Sequence, residues 1–148
     1  MEAYFDSSIL VKAYCPEPNS TDALALILAE AVPLPLTHLQ EAEIRNALRL
    51  KVFRQELSAP SLKISLFLFD EDIRVGRLER PHYDPHAVYR RAEILSHQHA
   101  AMTGARTLDI LHVAAALELK VVRFVSFDHR QRAVARKAGL KVVPKMVH

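Results

Sequence analysis

The sequence predicts an α/β fold, a three-layer α/β/α arrangement with a central, mostly parallel sheet, filling one domain over residues 1–148. Three observations predict it. Short β-rich runs alternate with helical segments along the chain, the pattern of parallel strands joined by helices on both sides of a sheet. The run Val121-Val-Arg-Phe-Val-Ser126 is almost continuously apolar and β-rich, as a central strand covered on both faces requires. A helical stretch from Thr107 or Leu108 to Leu119 runs directly into it.

The elements follow in order. Ala3-Tyr4-Phe5 is a first buried strand ending at Asp6. Ser7 or Ser8 caps a helix from Ile9 to Tyr14, which Pro16-Glu-Pro-Asn breaks. Asn19 or Ser20 starts a second helix over Thr21 to Ala31. Val32 to Thr37 is a short strand whose two prolines place it near an edge or at its ends. Gln40 to Glu56 is made of strong helix formers, with Leu39, Glu43, Ala47 and Leu50 on one face. Ser58-Ala-Pro-Ser61 is a turn, and Leu62 to Asp70 an apolar helix with Phe67 and Phe69 as packing groups. Arg74 to His82 is a short strand or an irregular loop. Asp84 caps a helix with Pro85 at its first position, running to about Met102 and ended by Thr103-Gly104. His129 to Ala138 is a short basic helix closed by Gly139, Lys141-Val-Val-Pro a last strand, and His148 lies in a frayed tail.

Composition narrows the class. Half the residues are hydrophobic and a quarter charged, as in a soluble globular protein. With only 3 glycines, a Gly-rich phosphate loop is largely excluded. A net charge of +3 and a pI near 9.2 suit a nucleic-acid partner without demanding one. The lone cysteine, Cys15, excludes an internal disulfide framework and fits a reducing compartment. The opening residues lack a basic region and a long apolar run, so no signal peptide is expected. No apolar run reaches the roughly 18 to 20 residues that span a bilayer. A cytoplasmic protein without membrane contact is expected.

Four acids stand out. Sheets of this type bind ligands at the carboxyl ends of their strands. Asp6 and Asp128 each follow a strand, Asp109 opens the helix that feeds the Val121 strand, and Glu43 lies one to two turns into its helix. Clustered carboxylates repel one another, and a hard cation such as Mg²⁺ or Mn²⁺ relieves that cost with oxygen ligands. Each acid also has a plain reading. Asp6 and Asp128 can cap the helices after them, and Asp109 suits a helix N-terminus. Glu43 is harder to explain away, because capping does not apply in mid-helix. Glu41, two residues away, points about 200° elsewhere and is read as a solvated charge.

Several motifs together resemble the PIN-domain nucleases, and more closely the VapC-type toxins of bacterial toxin–antitoxin pairs. Tyr4-Phe-Asp-Ser-Ser-Ile-Leu-Val-Lys-Ala-Tyr14 resembles the family's opening strand, acid, small hydroxyl residue and helix. Glu43-Ile-Arg-Asn-Ala-Leu48, Thr107-Leu-Asp-Ile-Leu-His-Val-Ala-Ala-Ala-Leu117 and Phe124-Val-Ser-Phe-Asp-His-Arg-Gln131 resemble its later motifs, with Ser126 where Thr is usual. The match runs in order over nearly the whole chain, with residues 58 to 100 similar only in general helical character. The resemblance implies an acidic quartet of Asp6, Glu43, Asp109 and Asp128 as catalytic and metal-holding residues, with Mg²⁺ or Mn²⁺, an RNA substrate, a homodimer and a cognate antitoxin.

Around those acids, Ser7, Ser8 and Ser126 are candidates for hydrogen bonds to the carboxylates, or else caps and strand-end turns. Lys12, Arg45, Arg49, Arg130 and Arg132 are candidates for RNA phosphate contacts, or else solvated charges. His112 is read as a satisfied histidine of the core or helix face, Cys15 as a packed thiol, and His97 with His99 as a poor metal pair. The rival readings are a catalytically inactive PIN-fold module that binds RNA or protein, and a receiver-type signalling domain. A receiver needs an adjacent acidic pair after strand one, where this chain has Asp6-Ser-Ser.

Overall fold

A computed structural model describes residues 1–146. The predicted tail residue His148 lies outside the described residues. The elements run β1 (Ala3–Phe5), α1 (Ser7–Val11), α2 (Ser20–Leu28), β2 (Leu34–Pro35), α3 (His38–Phe53), α4 (Ala59–Arg74) and β3 (Leu78–Glu79). They continue through α5 (Pro85–Leu95), a π-helical turn (Ser96–Ala100), α6 (Ala101–Thr103), α7 (Thr107–Glu118), β4 (Arg123–Val125), α8 (His129–Lys137) and β5 (Lys141–Val143). This is the α/β class expected, and every strand pairing among the described residues is parallel. No described helix is long and apolar enough to cross a membrane. The chain divides into two compact units, residues 1–6 with 81–148, and residues 7–80.

The first unit is built on a sheet of order β1-β4-β5. The Val121 run supplies its middle strand, although the paired residues are only Arg123–Val125. Phe124 and Val125 are buried, as a strand flanked on both edges should be. Tyr4 stacks on Phe124 and gives its hydroxyl to a hydrogen bond with His112 Nδ1 at 2.7 Å, so His112 is a satisfied core histidine. Asp84 caps α5 through His86 N, with Pro85 at the start. The helix expected to reach Met102 is interrupted by the π-helical turn that carries His97 and His99. It ends where Gly104 takes the left-handed conformation, φ +69°, that a side chain would resist. Helix α7 packs against α5 and α8 and is buried from Asp109 through Ala116.

The second unit places α3 against α1 and α4, with β2 and β3 paired as a separate two-stranded sheet. The Val32–Thr37 run thus joins β3 through Leu34 opposite Leu78, so the Arg74–His82 stretch contains a short strand. Helix α3 opens with a capping box: Thr37 Oγ1 accepts from Gln40 N, and Gln40 Oε1 accepts from Thr37 N. Its buried stripe is Gln40, Ile44, Leu48 and Lys51, one position on from the expected Leu39, Glu43, Ala47 and Leu50. The shift has a cause. Gln40 is buried because it caps, and Lys51 because Glu17 and Glu56 pair with it. Ser58-Ala-Pro-Ser61 is the start of α4, with Ser58 capping and Pro60 in the first turn, where Pro is tolerated. Phe69 is buried under that helix, whereas Phe67 is 61% exposed and is not the packing group expected.

Candidate active site

In the first unit, the chain leaves β1 through Asp6, whose backbone N–H still donates to Val125 O in the strand ladder. That bond fixes where the side chain starts, and the carboxyl is buried. Asp109 is the third residue of α7, and its Oδ2 accepts from the backbone N–H of Arg106 at 2.9 Å and from Arg106 Nε at 3.3 Å. This half of a capping box satisfies an orphan donor of the helix and locks the Asp109 rotamer. Its other oxygen, Oδ1, accepts from Gln131 Nε2 at 3.2 Å, and the same nitrogen donates to Asp6 Oδ1 at 3.3 Å. Two buried carboxylates from different elements are therefore aimed at one atom.

Asp128 follows β4 and is half-buried. Its Oδ1 accepts from Gln131 N at 2.9 Å and so caps α8, the plain reading of its position. Ser126 is buried between these acids: its hydroxyl donates to Asp6 Oδ2 at 3.5 Å and accepts from Asp128 N at 3.0 Å. In the second unit, Glu43 is half-buried beside the α3 stripe and accepts a 2.9 Å hydrogen bond from the hydroxyl of buried Ser7. Ser8 is exposed.

The basic candidates divide. Arg49 and Arg130 are exposed on α3 and α8. Lys12 is paired with Glu17, and Arg45 with Glu41 and Asp70 while lying over the Phe69 ring. Arg132 departs from the RNA-contact expectation. It is 4% exposed, and its guanidinium donates to the carbonyls of Ser126, Pro144 and Lys145, bracing the chain around β4 and β5. Burial of that guanidinium pushes its pKa down. Glu41 is also not the solvated charge expected. Its carboxylate is 17% exposed, and hydrogen bonds from Arg80, then Arg45, hold its pKa down at about 2.

Neither Gln131 nor Arg106 is among the site residues expected from the sequence. The available signal for Gln131 was its place three residues after the Asp128 cap, one turn into α8. The available signal for Arg106 was its place three residues before Asp109, at the cap of α7.

Among the described residues, no three His, Cys, Asp or Glu side chains are gathered as a preformed ligand set. The donor chemistry nevertheless fits a hard divalent cation. Two carboxylate oxygens converge on one point, and a Mg²⁺-like ion needs only one or two carboxylates, completing its shell with waters and substrate phosphates. The atom at that point belongs to an amide whose own oxygen, Gln131 Oε1, is buried with no hydrogen-bond partner among the described residues.

Comparison with known proteins agrees on the fold. Among solved structures, VapBC2 from Rickettsia felis bound to a DNA fragment from its promoter superposes with a TM-score of 0.64 at 14% identity, covering 96% of this chain and 97% of that one. FitAcB from Neisseria gonorrhoeae gives 0.61 at 16% identity, covering 96% of each chain. No curated protein matches. The family model described as the PIN domain matches residues 3–137. With that match over nearly its whole length, this chain belongs to the PIN domain family.

Proposed function

We propose that this protein is a metal-dependent endoribonuclease, the toxin of a toxin–antitoxin pair. PIN-domain proteins are nucleases as a family, which supports hydrolysis of nucleic acid. The observation that carries the metal-dependent reading is the convergence of the Asp6 and Asp109 carboxylates on a single atom. Asp6 and Asp109 are the groups to hold Mg²⁺ or Mn²⁺, and the sequence resemblance adds Glu43 and Asp128 to the acids. When bound, such an ion lowers the pKa of water and offsets the charge that develops on phosphate. Ser126 and Ser7 orient the Asp6 and Glu43 carboxylates through their hydroxyls. Asp128, anchored by its cap to α8, orients a water for in-line attack on phosphorus. The water oxygen bonds to phosphorus and gives up a proton to solvent as the phosphorus–O3′ bond breaks, the 3′ oxygen takes up a proton, and the downstream fragment keeps a 5′-phosphate.

Arg49 and Arg130 are the exposed cations to hold RNA phosphates, which position a substrate without reading its sequence. A cognate antitoxin partner, a homodimer and a cytoplasmic setting belong to the same reading. The names of the neighbouring structures, VapBC2 and FitAcB, support the antitoxin partner.

The test is cleavage of a labelled RNA pool by purified protein in Mg²⁺, Mn²⁺ and EDTA, beside Asp6→Asn. Cuts that need metal and vanish in the variant are expected, and the fragment ends identify the target. Folded, partner-free protein that cuts no RNA would instead favour the inactive binding module.

A further inference from the structure

Gln131 is 4% exposed, and its backbone N–H is tied to the Asp128 cap. Its Nε2 donates to both Asp6 and Asp109, while its Oε1 has no partner among the described residues. All of the amide's hydrogen bonding is therefore on one end. That orientation is forced by charge. Turned the other way, a carbonyl oxygen would face two carboxylate oxygens, three acceptors with no donor between them. A cation held between the amide and the two carboxylates reverses the preference, because an NH₂ group repels it and a carbonyl attracts it. The last side-chain torsion of Gln is broad and nearly two-fold, so the amide can turn over in place. Among the described residues, no hydrogen bond on its far side has to break.

Resting on the metal reading above, we infer that Gln131 is a cation-responsive amide at the nuclease site. Its NH₂ bridges Asp6 and Asp109 when no metal is bound, and its carbonyl turns in as a further oxygen donor when metal binds. The neutral amide thus keeps the two acids together without setting a positive charge between their facing oxygens, the Arg106 guanidinium lying on the far oxygen of Asp109.

Calorimetric titration with Mn²⁺ of the full chain, Gln131→Leu and Gln131→Glu tests this. Gln131→Leu should bind Mn²⁺ about 10-fold more weakly, the loss typical of removing a supporting partner at a metal site. Gln131→Glu keeps an oxygen and should bind at least as tightly as the native chain. The same variant should melt below the native protein in EDTA, where it sets three carboxylates together, and recover on adding Mn²⁺. In the native protein, the Gln131 side-chain ¹⁵N signal, assigned by its absence from Gln131→Glu, should move on titration with Mg²⁺. Native affinity in Gln131→Leu, equal losses in both variants, or an unmoved amide signal overturns the inference while leaving the nuclease reading intact. A native chain that binds no Mn²⁺ overturns the metal reading and the inference together.

Discussion

In residues 7–80, both Glu41 oxygens accept from the Arg80 guanidinium, Oε1 also accepts from Arg45, and Arg45 reaches on to Asp70. In the other unit, Asp6 and Asp109 share a single neutral amide, with Ser126 on the far oxygen of Asp6 and Arg106 on the far oxygen of Asp109. Both arrangements hold buried or half-buried carboxylates in place. The first does so with fixed positive charge, which keeps the acid ionised down to about pH 2. The second puts one neutral amide on the facing oxygens and confines its positive charge, Arg106, to the far oxygen of Asp109, which under the proposed function leaves the facing oxygens open to a cation. An acid's partners thus separate a structural carboxylate from one suited to a metal.

The comparison breaks first at catalysis. Asp6→Asn should lower metal-dependent RNA cleavage by at least about 100-fold, the upper end of what losing a supporting partner costs at a metal site. Its melting temperature in EDTA should stay near the native one, because Asn can still accept from Gln131. A variant that cuts at the native rate would place Asp6 among the structural acids.

Glu41→Gln should do the reverse. It should cost about 1.5 kcal/mol of stability by urea denaturation, the low end for hydrogen bonds to a charged group, since Arg80 is half in solvent. Cleavage per folded molecule should not change. The pH dependence sharpens the point. The folded pKa of Glu41, about 2, lies below its ordinary 4.5, with hydrogen bonding from Arg80 the largest cause. Its contribution is therefore complete above 4.5 and lost as pH falls through 2. Acid melts of Glu41→Gln should lack that component, and identical slopes would remove the arginine network from the stability account.

Two smaller effects follow. Ser126→Ala should cost about 1 kcal/mol, a typical single hydrogen bond, and slow cleavage through a looser Asp6. Stability and rate measured together on this variant should fall together, whereas an effect on stability alone would make Ser126 only a strand-end turn. Arg130→Ala should leave folding untouched and reduce the slope of log RNA affinity against log salt by about 0.7, one phosphate contact on a single strand. An unchanged slope would remove Arg130 from the RNA surface.

What could be read before folding is what depends on near neighbours. Asp84-Pro85, Gly104, the Val121 run and the motifs around Asp6, Glu43, Asp109 and Asp128 are local signals, and they sufficed for the α/β class and the PIN family. Capping, proline geometry and continuous β-rich burial act within a few residues, so the chain carries them in plain form. Tertiary structure decided which polar groups go inside. Gln40, Lys51 and Arg132 are buried because distant or capping partners satisfy them, and that moved the α3 stripe by one position and took Arg132 out of the solvent. It also decided that Gln131, 125 positions from Asp6 and 22 from Asp109, would bridge the two. Burial of a polar side chain is favourable only with its partners in reach, and partners so far apart in sequence meet only once the sheet and α7 have packed.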